Sequence, residues 1–300
     1  MPSSILIFGH SGQIATELAI ASWTPGTDIH CLGRGDLDLR LTSADEIAAV
    51  LHRFTPSLVI NAAAYTAVDR AESAPDTAYA LNATAPGLIA QGCAHAAIPL
   101  IHISTDYVFD GAKNAPYVET DPVNPVSVYG MSKEAGEQAV RAATHRHIIL
   151  RTAWVYSSHG RNFVTNMLRL GKTHQELPIV DDQIGSPTSA AQIACALTTI
   201  AHKLLTQAAP NFGTYHFCAA GQTSWHGLAT AIFDKARREG RQAPNRIIPI
   251  PTSAYPTPAR RPLNSRLSCK KLAADFGLNA QSWQTGLDAC LEALFRTTNP

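Results

Sequence analysis

Charge is scarce in this chain and almost balanced. Across 300 residues, 24 Lys and Arg face 23 Asp and Glu, a formal net charge of +1. No electrostatic drive toward nucleic acid or an anionic membrane follows, so neither is expected as a partner. No apolar run reaches the ~18–20 residues of a membrane span. The opening Met1-Pro-Ser-Ser also lacks the charged start and apolar stretch of an export signal, so a cytoplasmic protein is expected. Six cysteines, at 31, 93, 195, 218, 269 and 290, form no C-x-x-C pair and no metal-ligand spacing. Most sit in apolar runs and read as reduced core residues. His145 and His147 have no third ligand nearby in sequence, so no metal is expected there. Internal repeats and low-complexity tracts are absent too.

Hydrophobic residues make up 45% of the chain, ample for a buried core. Five short apolar runs read as strands: Ile5–Phe8, Ile29–Leu32, Leu58–Asn61, Leu100–Ile103 and Ile148–Arg151. They show none of the alternation of a half-exposed sheet, which predicts burial on both faces. Helical stretches lie between them at about 12–22, 43–54, 75–96 and 127–144, the second opening on a capping box, Ser43-Ala-Asp-Glu46. This rhythm predicts an α/β fold, a Rossmann-type doubly wound parallel sheet. Beyond about residue 155 the rhythm gives way to longer, Pro-rich loops. Residues 1–155 with about 189–221 are assigned to the Rossmann-type domain. Residues about 156–188 and 222–300 are assigned to a smaller substrate-binding lobe. A site is expected in the crevice at the carboxyl ends of the strands.

Gly9-His-Ser-Gly12-Gln-Ile-Ala15 follows the first strand and opens the first helix. Gly9 permits a tight turn, and Gly12 lets backbone approach a pyrophosphate at a helix N-terminus. Ser11, Gln13 and Ile14 belong to the same loop and count as cofactor-binding. After the second strand the chain carries Gly33-Arg34-Gly35 where NAD enzymes place a carboxylate for the ribose hydroxyls. Arg34 can pair with a 2′-phosphate, which favours NADPH, with NADH as the alternative. Asp38 and Leu39 are placed beside the adenine.

Tyr129 and Lys133 stand four residues apart in Ser127-Val-Tyr-Gly-Met-Ser-Lys133. On a helix they share one face. An ammonium beside a phenol lowers its pKa toward the working range and makes it a usable acid. Ser104 and Thr105 end the fourth strand, so their hydroxyls point into the expected crevice. There Thr105 can hydrogen-bond a substrate carbonyl, although the same pair would serve equally well to cap a chain reversal.

Together these segments resemble the extended short-chain dehydrogenase/reductases, and within them the dTDP-4-dehydrorhamnose reductase family. The resemblance runs over nearly the whole chain. It is carried by Gly9-x-x-Gly12-Gln13, Asn61-Ala-Ala-Ala-Tyr65-Thr-Ala-Val-Asp69-x-Ala-Glu72, Leu81-Asn82-Ala and Ser104-Thr-Asp-Tyr-Val-Phe-Asp-Gly111. It continues in Pro125-x-x-x-Tyr129-Gly-x-Ser-Lys133, Arg151-Thr-x-Trp154-Val-Tyr156, Asn162-Phe163, Asp182-Gln-x-Gly-Ser-Pro-Thr188 and Arg261-Pro-x-Asn-Ser265. It implies NADPH-dependent reduction of the C4 ketone of dTDP-4-dehydro-L-rhamnose, a step toward cell-surface polysaccharide such as the O-antigen of lipopolysaccharide.

The resemblance also implies residue roles. Tyr129 is the proton donor, Lys133 lowers its pKa and holds the nicotinamide ribose, and Thr105 orients the ketone. Ala62, Ala63, Ala64 and Tyr65 line the cofactor path, and Asn82 supports the site. Tyr107 and Trp154 hold the sugar, with Trp154 equally readable as a core residue. Asn162, Gln183 and Arg261 complete the substrate set. Some family members are described as dimers joined through magnesium. Glu17 and Glu292 fall at comparable places, but Ala191-Gln192 offers no carboxylate, so magnesium is doubtful. Monomer and homodimer both stay open. Another nucleotide-sugar ketoreductase or epimerase is the alternative, and a non-catalytic NADP-binding regulatory subunit the remote one.

Overall fold

The computed structural model describes residues 3–297. Five strands, β1 (Ser4–Phe8), β2 (Asp28–Leu32), β3 (Leu58–Asn61), β4 (Leu100–Thr105) and β5 (His147–Thr152), join Gly213–His216 in one six-stranded sheet. Every pairing in it is parallel. The order runs β2-β1-β3-β4-β5 and then Gly213–His216 at the edge. That sixth strand was not among the five apolar runs. Its residues, Gly-Thr-Tyr-His, are too mixed in polarity to read as a fully buried strand.

Helices cover both faces, which explains the unbroken apolar strands. Ile5 and Ile7 point to a core shared with α1 (Gln13–Ile20) and with Ala190–Thr206, a helix that returns to pack on the sheet. Leu6 and Phe8, one residue out of step, point to the opposite core. There α2 (Ala44–Phe54) contributes Ile47 and Leu51, and Ala85–His95 contributes Ile89 and Cys93. The Ser43–Glu46 capping box is present at the start of α2.

The expected helix over 75–96 is interrupted. Pro75–Tyr79 passes through a π-type turn, Ala80–Thr84, before Ala85–His95 continues. Such turns gather at functional positions. This one carries Asn82, which is fully buried. Its side chain accepts from Tyr65 N at 2.8 Å and donates to Tyr65 O and Ser132 Oγ.

Past β5, a third apolar core gathers Tyr156, Val164, Leu228, Ile232, Phe233 and Trp283. Lys270–Phe276 does not join it. That helix puts Leu272 and Phe276 into the sheet core, although the sequence assigned its stretch to the smaller lobe. No described helix is long and apolar enough to cross a membrane.

Candidate active site

In a 2-1-3-4-5 sheet the strand order reverses between β1 and β3, and their carboxyl ends open a crevice. A cleft of about 840 Å³ lies there, lined by residues that follow β1, β2, β3, β4 and β5. Gly9 leaves β1 with φ +132°, a backbone conformation that L side chains rarely adopt. At Gly12 a Cβ would meet no protein atom within 4 Å, so the open space beside it belongs to the cleft. Gly12 caps α1 with no side-chain hydrogen bond, leaving its first N–H groups available to an anion. Gln13 Oε1 is buried without a partner among the described residues. The turn at Gly9, the open approach at Gly12 and the free N–H groups of α1 fit a dinucleotide pyrophosphate.

Ser11, Ile14, Arg34, Leu39 and Ala62 to Ala64 line the same cleft. Asp38 lines it too, paired with Arg40, whose guanidinium holds the carboxyl down at about 2. Arg40 was not singled out in the sequence, and it places a second cation beside Arg34 in the lining.

At the other end, Val128–Ala143 forms the helix that bears Tyr129 and Lys133, capped by Ser127 Oγ accepting from Gly130 N. It packs tightly through glycines: a Cβ at Gly130 would lie 2.2 Å from Tyr107 O, and one at Gly136 2.0 Å from Asn82 O. Thr105 ends β4 and caps the single turn Asp106–Val108, its Oγ1 accepting from Tyr107 N and donating to Asp106 Oδ1. The Thr105 hydroxyl also faces the Tyr129 phenol, and Tyr107 meets the Tyr129 ring edge-on at 5.4 Å. Ser104, Thr105, Tyr107, Tyr129, Lys133, Trp154 and Asn162 all line the cleft.

The electrostatics differ from expectation at one point. Burial pushes the Tyr129 phenol up to about 12, and Lys133 is not among the groups that shift it. Lys133 is itself 2% exposed, and desolvation brings it down to about 8. Its nitrogen donates to Ile103 O at 2.7 Å and approaches His102 Nε2 at 3.4 Å. The ammonium is therefore turned to β4, and the phenol remains protonated at neutral pH. Asp106, which the sequence reading passed over, is raised to about 6 by burial, despite hydrogen bonds from Ser265 and Thr105.

Trp154 sits at φ 50°, an uncommon backbone conformation for a bulky residue. It is stacked on Trp225 with ring centroids 3.6 Å apart and planes 7° apart. Trp225 lines the cleft as well and had no signal in sequence beyond its residue type. Four singled-out residues are absent from the lining. Tyr65 and Asn82 bond each other behind it. Gln183 bonds Thr252 and Trp225. Arg261 forms a two-pronged pair with Asp69, at 3.1 and 2.8 Å. Among the described residues no cluster of three His, Cys, Asp or Glu side chains could hold a metal. Glu17 instead faces His159, and Glu292 faces Lys235.

The family described as RmlD substrate binding domain matches residues 3–296. The chain belongs to this family. A dTDP-4-dehydrorhamnose reductase of Sinorhizobium fredii is 44% identical over 93% of this chain and 94% of its own. The crystal structure of a dTDP-4-dehydrorhamnose reductase from Clostridium acetobutylicum superposes with a TM-score of 0.89 at 35% identity, covering 97% of this chain and 99% of that one. A Bacillus anthracis dTDP-4-dehydrorhamnose reductase, solved in complex with NADP, gives 0.90 at 33% identity over 98% and 100%. The Rossmann-type fold is thus shared with the reductase family along its whole length.

Proposed function

We propose that the protein reduces the C4 ketone of dTDP-4-dehydro-L-rhamnose to dTDP-L-rhamnose with NADPH. The observation that carries this is a single cleft, in a chain of this reductase family, that joins an anion-binding loop to a buried Thr105–Tyr129 pair. Bound NADPH supplies the hydride. The Gly9–Gln13 loop and the α1 N-terminus hold the pyrophosphate, while Arg34 with Arg40 nearby takes the 2′-phosphate. Ala62 to Ala64 line the path between.

A ketone that accepts hydride becomes an alkoxide and must gain a proton. Tyr129, kept as a phenol by burial, donates that proton from Oη, and the Thr105 hydroxyl steadies the charge that builds on the oxygen. Lys133, once turned toward Tyr129 and the ribose, compensates the phenolate left behind. Ser104, Tyr107, Trp154 and Asn162 are the proposed sugar contacts, with Trp154 giving an apolar platform backed by Trp225. Gln183 and Arg261 act from behind, through Trp225 and Asp69. The division into a cofactor domain (1–155 with about 189–221) and a substrate lobe (about 156–188 and 222–300, apart from Lys270–Phe276, which packs on the sheet) is likewise part of this proposal, as is a cytoplasmic location.

Purified protein mixed with dTDP-4-dehydro-L-rhamnose and NADPH is expected to consume the reduced nicotinamide and yield the L-rhamno product, identified by NMR. Tyr129→Phe should retain NADPH binding and lose about 10²–10⁴-fold in rate. Turnover only with a different keto sugar would overturn the substrate, and an unimpaired Tyr129→Phe would overturn the proton donor.

A further inference from the structure

Directly behind Lys133 lies a polar chain whose members, Asn61 and His102, are not part of the cleft lining. Asn61 at the end of β3 is 1% exposed and His102 on β4 is wholly buried. Ala63 N donates to Asn61 Oδ1 at 3.2 Å, and Asn61 Nδ2 lies 3.2 Å from His102 Nδ1. On the far side of the ring, His102 Nε2 faces Lys133 Nζ at 3.4 Å.

These contacts dictate where the imidazole proton sits. A backbone N–H can only donate, so the Asn61 atom that meets Ala63 must be the carbonyl oxygen. Asn61 then presents its NH₂ to His102, and Nδ1 must accept. Burial and the neighbouring Lys133 and His147 hold the His102 pKa well below its usual value, so the ring is neutral with a single proton. That proton is left on Nε2, aimed at the Lys133 nitrogen.

We infer that Asn61 and His102 are a positioning pair for Lys133, holding an N–H donor against its nitrogen so that an ammonium there has no acceptor on that side. The ammonium keeps one bond to the Ile103 carbonyl, and Lys133 also lines the cleft, the side on which a further acceptor can be met. Facing two donors across 3.4 Å also favours loss of a proton from lysine, adding to the desolvation already acting on it. The charged surroundings of Lys133 oppose this only weakly. Glu137, one turn further along the helix, favours the ammonium, but its carboxylate is bound by Arg151 from β5 and by Arg141. His147 on β5 is shifted toward its neutral form. Tyr129 lies one turn before Lys133 and stays protonated.

The inference rests on the reading of Lys133 as part of a reductase site, and its consequence is an alkaline limit. Above about 8 the lysine is neutral, and activity that needs its charge falls as pH rises through that value. Asn61→Asp is nearly isosteric and reverses the tautomer. One carboxylate oxygen still accepts from Ala63 while the other accepts from an Nδ1–H, so Nε2 becomes an acceptor for the ammonium. His102→Gln can likewise turn a carbonyl to Lys133.

Both variants should move the alkaline limb of the kcat/KM profile upward by about one pH unit. A purely structural role would lower the rate at every pH and leave the limb in place, which would overturn the inference. Long-range ¹⁵N correlation spectra of the native protein supply a readout without turnover. The His102 ring should show its proton on Nε2, and a proton on Nδ1 would overturn the inference even if the protein reduced no sugar at all. If the spectra give Nε2–H while the native protein shows no reductase activity, the fault lies with the proposed function and not with the pair.

Discussion

Asp106 is the residue at which burial and chemistry conflict most openly. Its carboxyl is 3% exposed, with a folded pKa near 6 against 3.8 for the free group. The folded protein thus holds this proton more tightly than the unfolded chain. Stability present below pH 3.8 is lost as pH rises toward 6, and the loss is complete above it. A shift of about two units corresponds to ~3 kcal/mol. Asp106→Asn should therefore raise the unfolding free energy by up to that amount at pH 8 and change it little at pH 4. Urea unfolding at the two pH values checks this, and an equal effect at both would contradict it. Some of the site's residues could be found one at a time in the sequence, such as the Gly9–Gly12 loop and the spacing of Tyr129 and Lys133. Asn61, His102 and Asp106 could not, because their roles exist only once β3 and β4 lie side by side and exclude water. The expectation that Lys133 lowers the Tyr129 pKa rests on helical spacing and on the family resemblance, and burial of both groups outweighs it here.

At the scale of elements, the helix Val128–Ala143 is held against the turn at Ala80–Thr84 through glycine. A Cβ at position 136 would stand 2.0 Å from Asn82 O, the backbone of the residue whose amide secures Tyr65 and Ser132. Backbone cannot step aside as a flexible side chain can. Gly136→Ala should cost about 1–3 kcal/mol, read as a lower urea midpoint. An unchanged midpoint would show that the helix shifts freely. The apolar runs of β1 to β5 were plain in sequence because a sheet covered on both faces leaves no polar alternation. The edge strand Gly213–His216 was not, since its pairing with β5 alone makes it a strand. The break within 75–96 does carry a mark in Pro86, whose missing N–H cannot bond the Asn82 carbonyl one turn before it, so the chain leaves the regular α-helix at Ala80–Thr84.

For the whole molecule, the cleft runs from the phosphate loop to the stacked Trp154 and Trp225, one continuous space in which the proposed cofactor and sugar sites adjoin. A ligand that binds only the folded state stabilises it by mass action. NADPH at one hundred times its dissociation constant should add about 2.7 kcal/mol, raising the melting temperature by several degrees. Arg34→Ala should weaken that effect for NADPH far more than for NADH. Equal losses for both cofactors would show that Arg34 reads no 2′-phosphate.

The most direct measurement is a crystal structure of the complex with NADPH and the dTDP-L-rhamnose product. The account predicts Tyr129 Oη and Thr105 Oγ1 both within ~2.6–3.2 Å of the sugar O4, opposite the nicotinamide, with Lys133 turned toward the ribose. A sugar seated away from Tyr129, or a phenol with no path to O4, would contradict it.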